Sequence, residues 1–141
     1  MTPEQIALVK DSFAKVAPIS AQAADLFYGR LFEVAPQVRA LFPDEMAEQK
    51  RKLMATLAVV VNALDKLDTV LPAVSQLAKK HVDYGAKPEH YPVVGGALLW
   101  TLEQGLGEHW TPEVAQAWTE AYALLSGFMI EQAYGQKQAA Q

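Results

Sequence analysis

The stretch LAKKHVDYG, residues 77–85, places the imidazole of His81 on the apolar face of a predicted helix. The positions 3, 4, 7, 10 and 11 residues before His81 share its face and are all apolar: Ala78, Leu77, Val74, Leu71 and Val70. Lys79 and Lys80 fall on the outer face, and Gly85 stands where a left-handed cap ends a helix. This helix therefore turns one histidine inward.

An inward histidine has two interpretations. It is more often a core residue with one backbone partner than a metal ligand, so other features must favour the ligand. Gln49 shares a helix face with Leu53 and Leu57, and Tyr28 lies among apolar neighbours on another helix. A buried amide or phenol each needs a hydrogen-bond partner. Together, an imidazole, an amide and a phenol suit a pocket for a large, flat, apolar ligand with a polar reactive centre.

Length and composition restrict the remaining classes of function. The chain has 141 residues, a formal net charge of −4 and no cysteine. We expect one domain, residues 1–134, followed by a polar, frayed tail, residues 135–141. The lack of cysteine excludes disulfides and thiolate-ligated metals. The negative net charge argues against nucleic-acid binding. No apolar run is long enough for membrane insertion, and no export signal is present, so we expect a cytoplasmic protein.

The rest of the sequence predicts helices separated by short turns. Thr2-Pro3-Glu4-Gln5 has the form of a capping box, and Thr111-Pro112-Glu113 repeats that opening before the last helix. Pro18 ends the first helix, and Ser20 is placed to cap the second. Because no alternating strand pattern is present, the predicted class is all-α, with about seven helical segments.

Several stretches, in this order and spacing, resemble the globin family, most closely the bacterial single-domain haemoglobins and the haem domain of flavohaemoglobins. They are FYGRLF (27–32), PQVRALF (36–42), EQKRKLMATL (48–57), LAKKHVDYG (77–85), HYPVVGGALL (90–99) and AWTEAY (117–122). The resemblance implies a globin fold of about seven helices packed around a haem pocket. It also implies haem b as the cofactor, with His81 as the proximal iron ligand.

The resemblance assigns further residues to the pocket. Phe42 matches the phenylalanine that packs flat on the haem, and Tyr28 and Gln49 match the distal pair that donates hydrogen bonds to bound dioxygen. These donors imply a high oxygen affinity, since hydrogen bonds to a partly charged ligand slow its release. The apolar cofactor contacts are expected from Leu53, Leu57, Leu77 and Val94.

On the proximal side, Tyr91 matches a tyrosine that joins a network with a glutamate on the last helix of flavohaemoglobins. Counted from Tyr122, the position of that glutamate is Ala133 here. Glu131 lies two residues earlier and about 200° away around the helix. We therefore expect an incomplete network and weaker peroxidase-like activation.

The remaining polar candidates have more ordinary interpretations. Lys52 is expected to bind a haem propionate or solvent, or, if neutral and turned inward, to compete for iron. His90 opens a helix and His109 lies in a connection, so neither is assigned to iron.

Two functional classes follow from the resemblance. The first is an enzyme that reacts dioxygen with nitric oxide to give nitrate, for which a separate reductase is needed, because the chain has no G-x-G-x-x-G fingerprint. The second is reversible binding without turnover, for oxygen storage, delivery or gas sensing. The ligands are dioxygen, nitric oxide and other small haem ligands in either case, and the protein is expected to be a monomer or homodimer.

Overall fold

The computed structural model describes residues 1–83 and 85–135, so most of the predicted tail lies outside the described residues. The described part is all-α, as predicted, with no strand. Its α-helices are α1 Pro3–Val16, α2 Ser20–Val34, α3 Ala47–Asn62, α4 Leu71–Asp83, α5 His90–Leu106 and α6 Pro112–Ile130. Shorter 3₁₀ helices are Ala17–Ile19, Pro36–Leu41, Leu64–Thr69 and Gly107–His109, and a π-helical segment, Glu131–Gly135, follows α6.

The predicted helix ends are borne out at three positions. The Thr2 hydroxyl accepts a hydrogen bond from the Gln5 backbone N–H at 3.1 Å, and the Gln5 side chain accepts one from the Thr2 N–H at 2.9 Å. Thr111 caps α6 through the Val114 N–H. After α4, Gly85 adopts φ 93°, a left-handed conformation that favours glycine.

The start of α2 differs from the prediction. Ser20 is the first residue of the helix, and Ile19 holds the N-cap position without a side-chain hydrogen bond. The reason is the 3₁₀ helix Ala17–Ile19, which leads directly from α1 into α2. The Ser20 backbone N–H therefore bonds the Ala17 carbonyl, within a continuous helical path.

The larger apolar core forms where α2 crosses α5 and α1 packs along α6. The indole N–H of Trp118 donates to the Ser12 hydroxyl at 2.8 Å, and that hydroxyl donates to the Leu8 carbonyl at 2.7 Å. Both side chains are buried. These two linked hydrogen bonds within an apolar core fix α6 against α1.

A second, smaller apolar cluster lies under α4. Its buried members are Val74, Ala78, Tyr91 and Met129. Helix α4 packs mainly against α6 and the π-helical segment, and among the described residues it has little contact with α3. The helices that carry Gln49 and His81 therefore rest on two different apolar clusters.

Replacement of Ser12 by alanine should lower the free energy of unfolding by about 1–3 kcal/mol, because the buried Trp118 N–H loses its acceptor. Urea unfolding of the purified protein measures this change. The control is Thr119→Ala on α6, the helix that carries Trp118, where an exposed hydroxyl donates to the Ala115 carbonyl; its effect should stay within about 0.5 kcal/mol. Equal effects of the two substitutions would contradict a special role for Ser12.

Candidate functional site

His81 lies in the last turn of α4 and is half-buried. Its Nδ1 lies 2.8 Å from the Leu77 carbonyl oxygen, one turn earlier in the same helix. Because a carbonyl can only accept, Nδ1 is the donor in this contact. Metal-binding histidines commonly have this arrangement, in which one ring nitrogen bonds a backbone carbonyl and the other bonds the metal.

Tyr91 lies beside His81, with their ring centroids 6.5 Å apart. Helix α6 holds Tyr91 in place, because the hydroxyl of Tyr122 on that helix donates to the Tyr91 carbonyl at 2.5 Å. The ring of Tyr122 lies flush against Gly95, where a Cβ atom would be 2.6 Å from the ring. Burial raises the pKa of the Tyr122 phenol, and the nearby Tyr91 raises it further, so this hydroxyl stays a donor. Tyr122 was not predicted from sequence as a site residue, because its helical spacing is that of a core residue.

Tyr28 and Gln49 are brought together from α2 and α3. The Gln49 Nε2 donates to the Tyr28 phenol oxygen at 3.2 Å. Burial raises the pKa of Tyr28, and the hydrogen bond from Gln49 partly opposes that rise, so the phenol is neutral at physiological pH. Since Gln49 donates to the phenol oxygen, the Tyr28 O–H proton is not used in this hydrogen bond.

Phe42 follows the 3₁₀ helix Pro36–Leu41 and completes an aromatic cluster with Tyr28 and Phe32. Its ring centroid is 5.6 Å from that of Tyr28 and 5.5 Å from that of Phe32, both in edge-to-face geometry. Such pairs are favoured by the ring quadrupoles. The cluster limits the side-chain conformations open to Phe42 and Tyr28.

The apolar candidates form two partly exposed surfaces. Leu53, Leu57 and Val94 pack against the larger core, whereas Leu77, one turn before His81, packs against the smaller cluster. Lys52, beside them on α3, is exposed. Half-buried leucine and valine side chains of this kind suit contact with a flat apolar ligand.

The donor set fits haem better than a metal held by protein alone. Among the described residues, no group of three or more His, Asp or Glu side chains could hold a metal ion. A single imidazole is what haem requires of a globin, because the porphyrin nitrogens would supply the remaining nitrogen ligands of the iron. His81 with its Nδ1 bonded to a backbone carbonyl, the aromatic Phe42 and the apolar surfaces therefore fit this cofactor.

A separate groove of about 930 Å³ runs between the α1–α2 connection and α3. It is lined by α3 side chains that include Lys50, Arg51 and Met54, and by Ala21 and Asp25 of α2. None of the predicted site residues lines it. The groove is therefore distinct from the candidate site.

Comparison with known proteins identifies the family. Residues 25–129 match the sequence model of the Globin family. The chain belongs to the globin family. It is 34% identical over 133 residues to the flavohemoprotein of Rhodopirellula baltica, covering 92% of this chain and 33% of that protein. It is 36% identical over 107 residues to the flavohemoprotein of Bacillus subtilis, covering 74% and 27%.

Solved structures agree with this globin assignment. An engineered carbene transferase, made from a Rhodothermus marinus protein provisionally named a nitric oxide dioxygenase, matches with a TM-score of 0.86 and 25% identity over 100% of this chain and 99% of that one. A bacterial globin from Campylobacter jejuni matches with a TM-score of 0.80 and 27% identity over 99% and 100%. The globin spans only about a third or less of its curated flavohemoprotein relatives. No helix in its described residues is long and apolar enough to cross a membrane.

Gly95→Ala should lower the free energy of unfolding by about 1–3 kcal/mol, since the new methyl group overlaps the Tyr122 ring. Gly96→Ala, one residue along the same helix, is the matched control because nothing lies within 4 Å of its Cβ position. That variant should be neutral or up to about 1 kcal/mol more stable, because alanine favours a helix. Urea unfolding compares the two, and equal effects would contradict the close packing at Gly95.

The stability of the protein should fall as the pH rises above 10.0, the ordinary pKa of tyrosine. The folded state keeps the Tyr122 proton after the unfolded state has lost it, so the stability contribution is complete below that pH and is lost as the pH rises toward the folded pKa. Thermal unfolding at increasing pH should therefore show a shallower fall for Tyr122→Phe than for the wild type. Parallel curves would rule out this linkage.

Proposed function

We propose that this globin holds haem b through His81, binds dioxygen with high affinity and oxidises nitric oxide to nitrate with electrons from a reductase. The observation that carries this proposal is the hydrogen bond between Gln49 and Tyr28. It joins two buried or half-buried donors from different helices, next to the aromatic Phe42. The flavohemoprotein relatives and the name of the Rhodothermus marinus protein point to the same chemistry.

Each side of the cofactor has its own residues in this proposal. The Nε2 of His81 would hold the iron, with Leu77 and Tyr91 beside it. Phe42 would pack against the porphyrin face, with Leu53, Leu57 and Val94 as further apolar contacts. The exposed Lys52 is suited to a propionate, since the neighbouring Arg51 is paired with Glu48.

When bound, the haem supplies the iron at which one dioxygen, one nitric oxide and one electron give nitrate. Tyr28 would donate its O–H proton to the bound ligand, since its phenol oxygen already accepts from Gln49. Its raised pKa keeps that proton in place at physiological pH. Gln49 both orients the phenol and adds a second amide proton to the same space. These donors favour a ligand that gains negative charge.

The proximal side supports oxygen binding more than peroxidase-like activation. Ala133 is half-buried and packs with the cluster that contains Tyr91, whereas Glu131 is exposed. A methyl group thus takes the position that an acid occupies in flavohaemoglobins. The partner that the structure gives His81 Nδ1 is a backbone carbonyl, which increases ligand basicity less than a carboxylate does.

The first test is the visible spectrum of the purified protein, as isolated and after reduction by dithionite. The wild type should show a five-coordinate ferrous haem, and His81→Ala should lose or alter it. The control is His90→Ala, since His90 is also half-buried but accepts a hydrogen bond from the Lys87 backbone N–H. An unchanged spectrum in His81→Ala would overturn the assignment of His81 as the iron ligand.

The second test measures oxygen release by stopped flow. Tyr28→Phe and Gln49→Leu should each speed release about 10- to 100-fold, the effect of losing one hydrogen bond worth roughly 1.5–3 kcal/mol. The double variant should fall short of the product of the two effects, because Gln49 acts partly through Tyr28. Independent, multiplied effects would contradict this coupling.

Nitrate formation separates the enzyme from a reversible binder. With nitric oxide, dioxygen, NADH and a flavin reductase, the wild type should form nitrate over many turnovers, and the distal variants should be slower. A stable oxygen complex with only a single turnover would instead support oxygen storage, delivery or sensing.

A further inference from the structure

Arg39, in the 3₁₀ helix Pro36–Leu41, binds the backbone of the three residues that follow that helix. Its Nη1 donates to the Pro43 carbonyl at 2.9 Å and to the Phe42 carbonyl at 3.3 Å, and its Nη2 donates to the Asp44 carbonyl at 3.3 Å. The Arg39 carbonyl also accepts from the Phe42 N–H at 3.1 Å. The backbone of Phe42 is therefore held on both sides by one residue.

The same guanidinium lies on the aromatic cluster. Its central carbon is 5.2 Å from the ring centroid of Phe32, within the range of a cation–π interaction. Phe32 in turn contacts both Phe42 and Tyr28, with centroid distances of 5.5 and 5.9 Å. Arg39 thus contacts the Phe42 backbone directly and the Phe42 ring through Phe32.

The bound segment leads directly into the helix that carries Gln49. Helix α3 begins at Ala47, whose backbone N–H donates to the Glu45 carboxylate at 3.0 Å. Arg39 bonds the backbone of residues 42–44, and the Glu45 carboxylate accepts from the first backbone N–H of α3, so hydrogen bonds hold both ends of the segment that joins Phe42 to the helix of Gln49. Within the described residues, Arg39 has no carboxylate at ion-pair distance, so a surface salt bridge does not account for it.

We propose that Arg39 is a positioning residue that sets Phe42 against the cofactor and, through the following segment, sets Gln49 against Tyr28. This inference rests on the proposed function, because it assigns Arg39 a role at that same site. The planar guanidinium is needed, since its N–H groups diverge in fixed directions and reach several carbonyls while one face stacks on a ring. A lysine could keep the charge over Phe32 but would not hold three carbonyls at once.

The test is the infrared C–O stretch of the ferrous carbon monoxide complex, measured with the rate of haem transfer to an excess of an acceptor apoglobin. Donors near the ligand lower the C–O frequency, so misplaced Tyr28 and Gln49 should raise it. In Arg39→Met the band should shift to higher frequency and split, and haem loss should be about tenfold faster. Arg39→Lys should shift in the same direction by less. Should Arg39→Met fail to fold, Arg39→Lys decides the question.

The matched control is Arg30→Met. Arg30 also lies over an aromatic ring, 5.1 Å from the centroid of Trp100, and is paired with Glu33. It should leave the C–O band and haem loss unchanged. Thermal unfolding of every variant shows whether a change in the C–O band or in haem loss comes with a general loss of stability.

Three outcomes give different conclusions. A shifted band in the Arg39 variants but not in Arg30→Met supports the inference. A wild-type band in Arg39→Lys, or a lowered melting temperature of Arg39→Met with an unchanged band, overturns it and leaves the proposed function intact. A wild-type protein without a carbon monoxide complex overturns both.

Discussion

The hydrogen bond from His81 Nδ1 to the Leu77 carbonyl is the constraint on which the site depends. It lies within one helix, so any change in the path of α4 moves the imidazole and its Nε2 together. Helix α4 is held by α6 and the π-helical segment, and Ser75 of α4 donates to the Gln132 side chain at 3.1 Å. The position of the proposed iron ligand therefore depends on the packing of the C-terminal helix, far along the sequence.

Two tyrosines of this globin, the buried Tyr28 and the half-buried Tyr122, follow the same rule on both sides of the site. A phenol removed from water must find a hydrogen-bond partner, and each partner comes from a different helix. Tyr122 finds the Tyr91 carbonyl, and Tyr28 finds the Gln49 amide. Because each bond joins two elements, the requirement for satisfied polar groups also fixes how the helices are placed. In this way the conditions for stability and for the proposed ligand binding coincide.

Sequence reasoning predicted the features that depend on local spacing. The capping box at Thr2, the left-handed Gly85 and the all-α class each follow from residues within a few positions of one another, and the globin assignment followed from the order of several motifs. The hydrogen bond between Gln49 and Tyr28 depends on the distance between two helices, and the hydrophobic periodicity of each helix does not predict that distance. Arg39 was missed for a similar reason, since its acceptors are backbone carbonyls and carry no side-chain signal. The 3₁₀ helix Ala17–Ile19 makes Ser20 the first residue of α2 instead of its N-cap. It lies at a junction between helices, where local sequence patterns are weakest.

The end of α6 gives the proximal side its chemical character. There the α-helix changes to a π-helical segment, and Ala133 packs into the apolar cluster beneath α4 while Glu131 remains exposed. With a methyl group in this cluster and a backbone carbonyl on Nδ1, His81 as the proposed iron ligand would donate electrons less strongly than an imidazole bonded to a carboxylate. Strong electron donation from the proximal ligand favours cleavage of the O–O bond, whereas a neutral imidazole favours binding of intact dioxygen. The proximal arrangement thus leaves the selectivity of the proposed reaction to the distal donors, Tyr28 and Gln49.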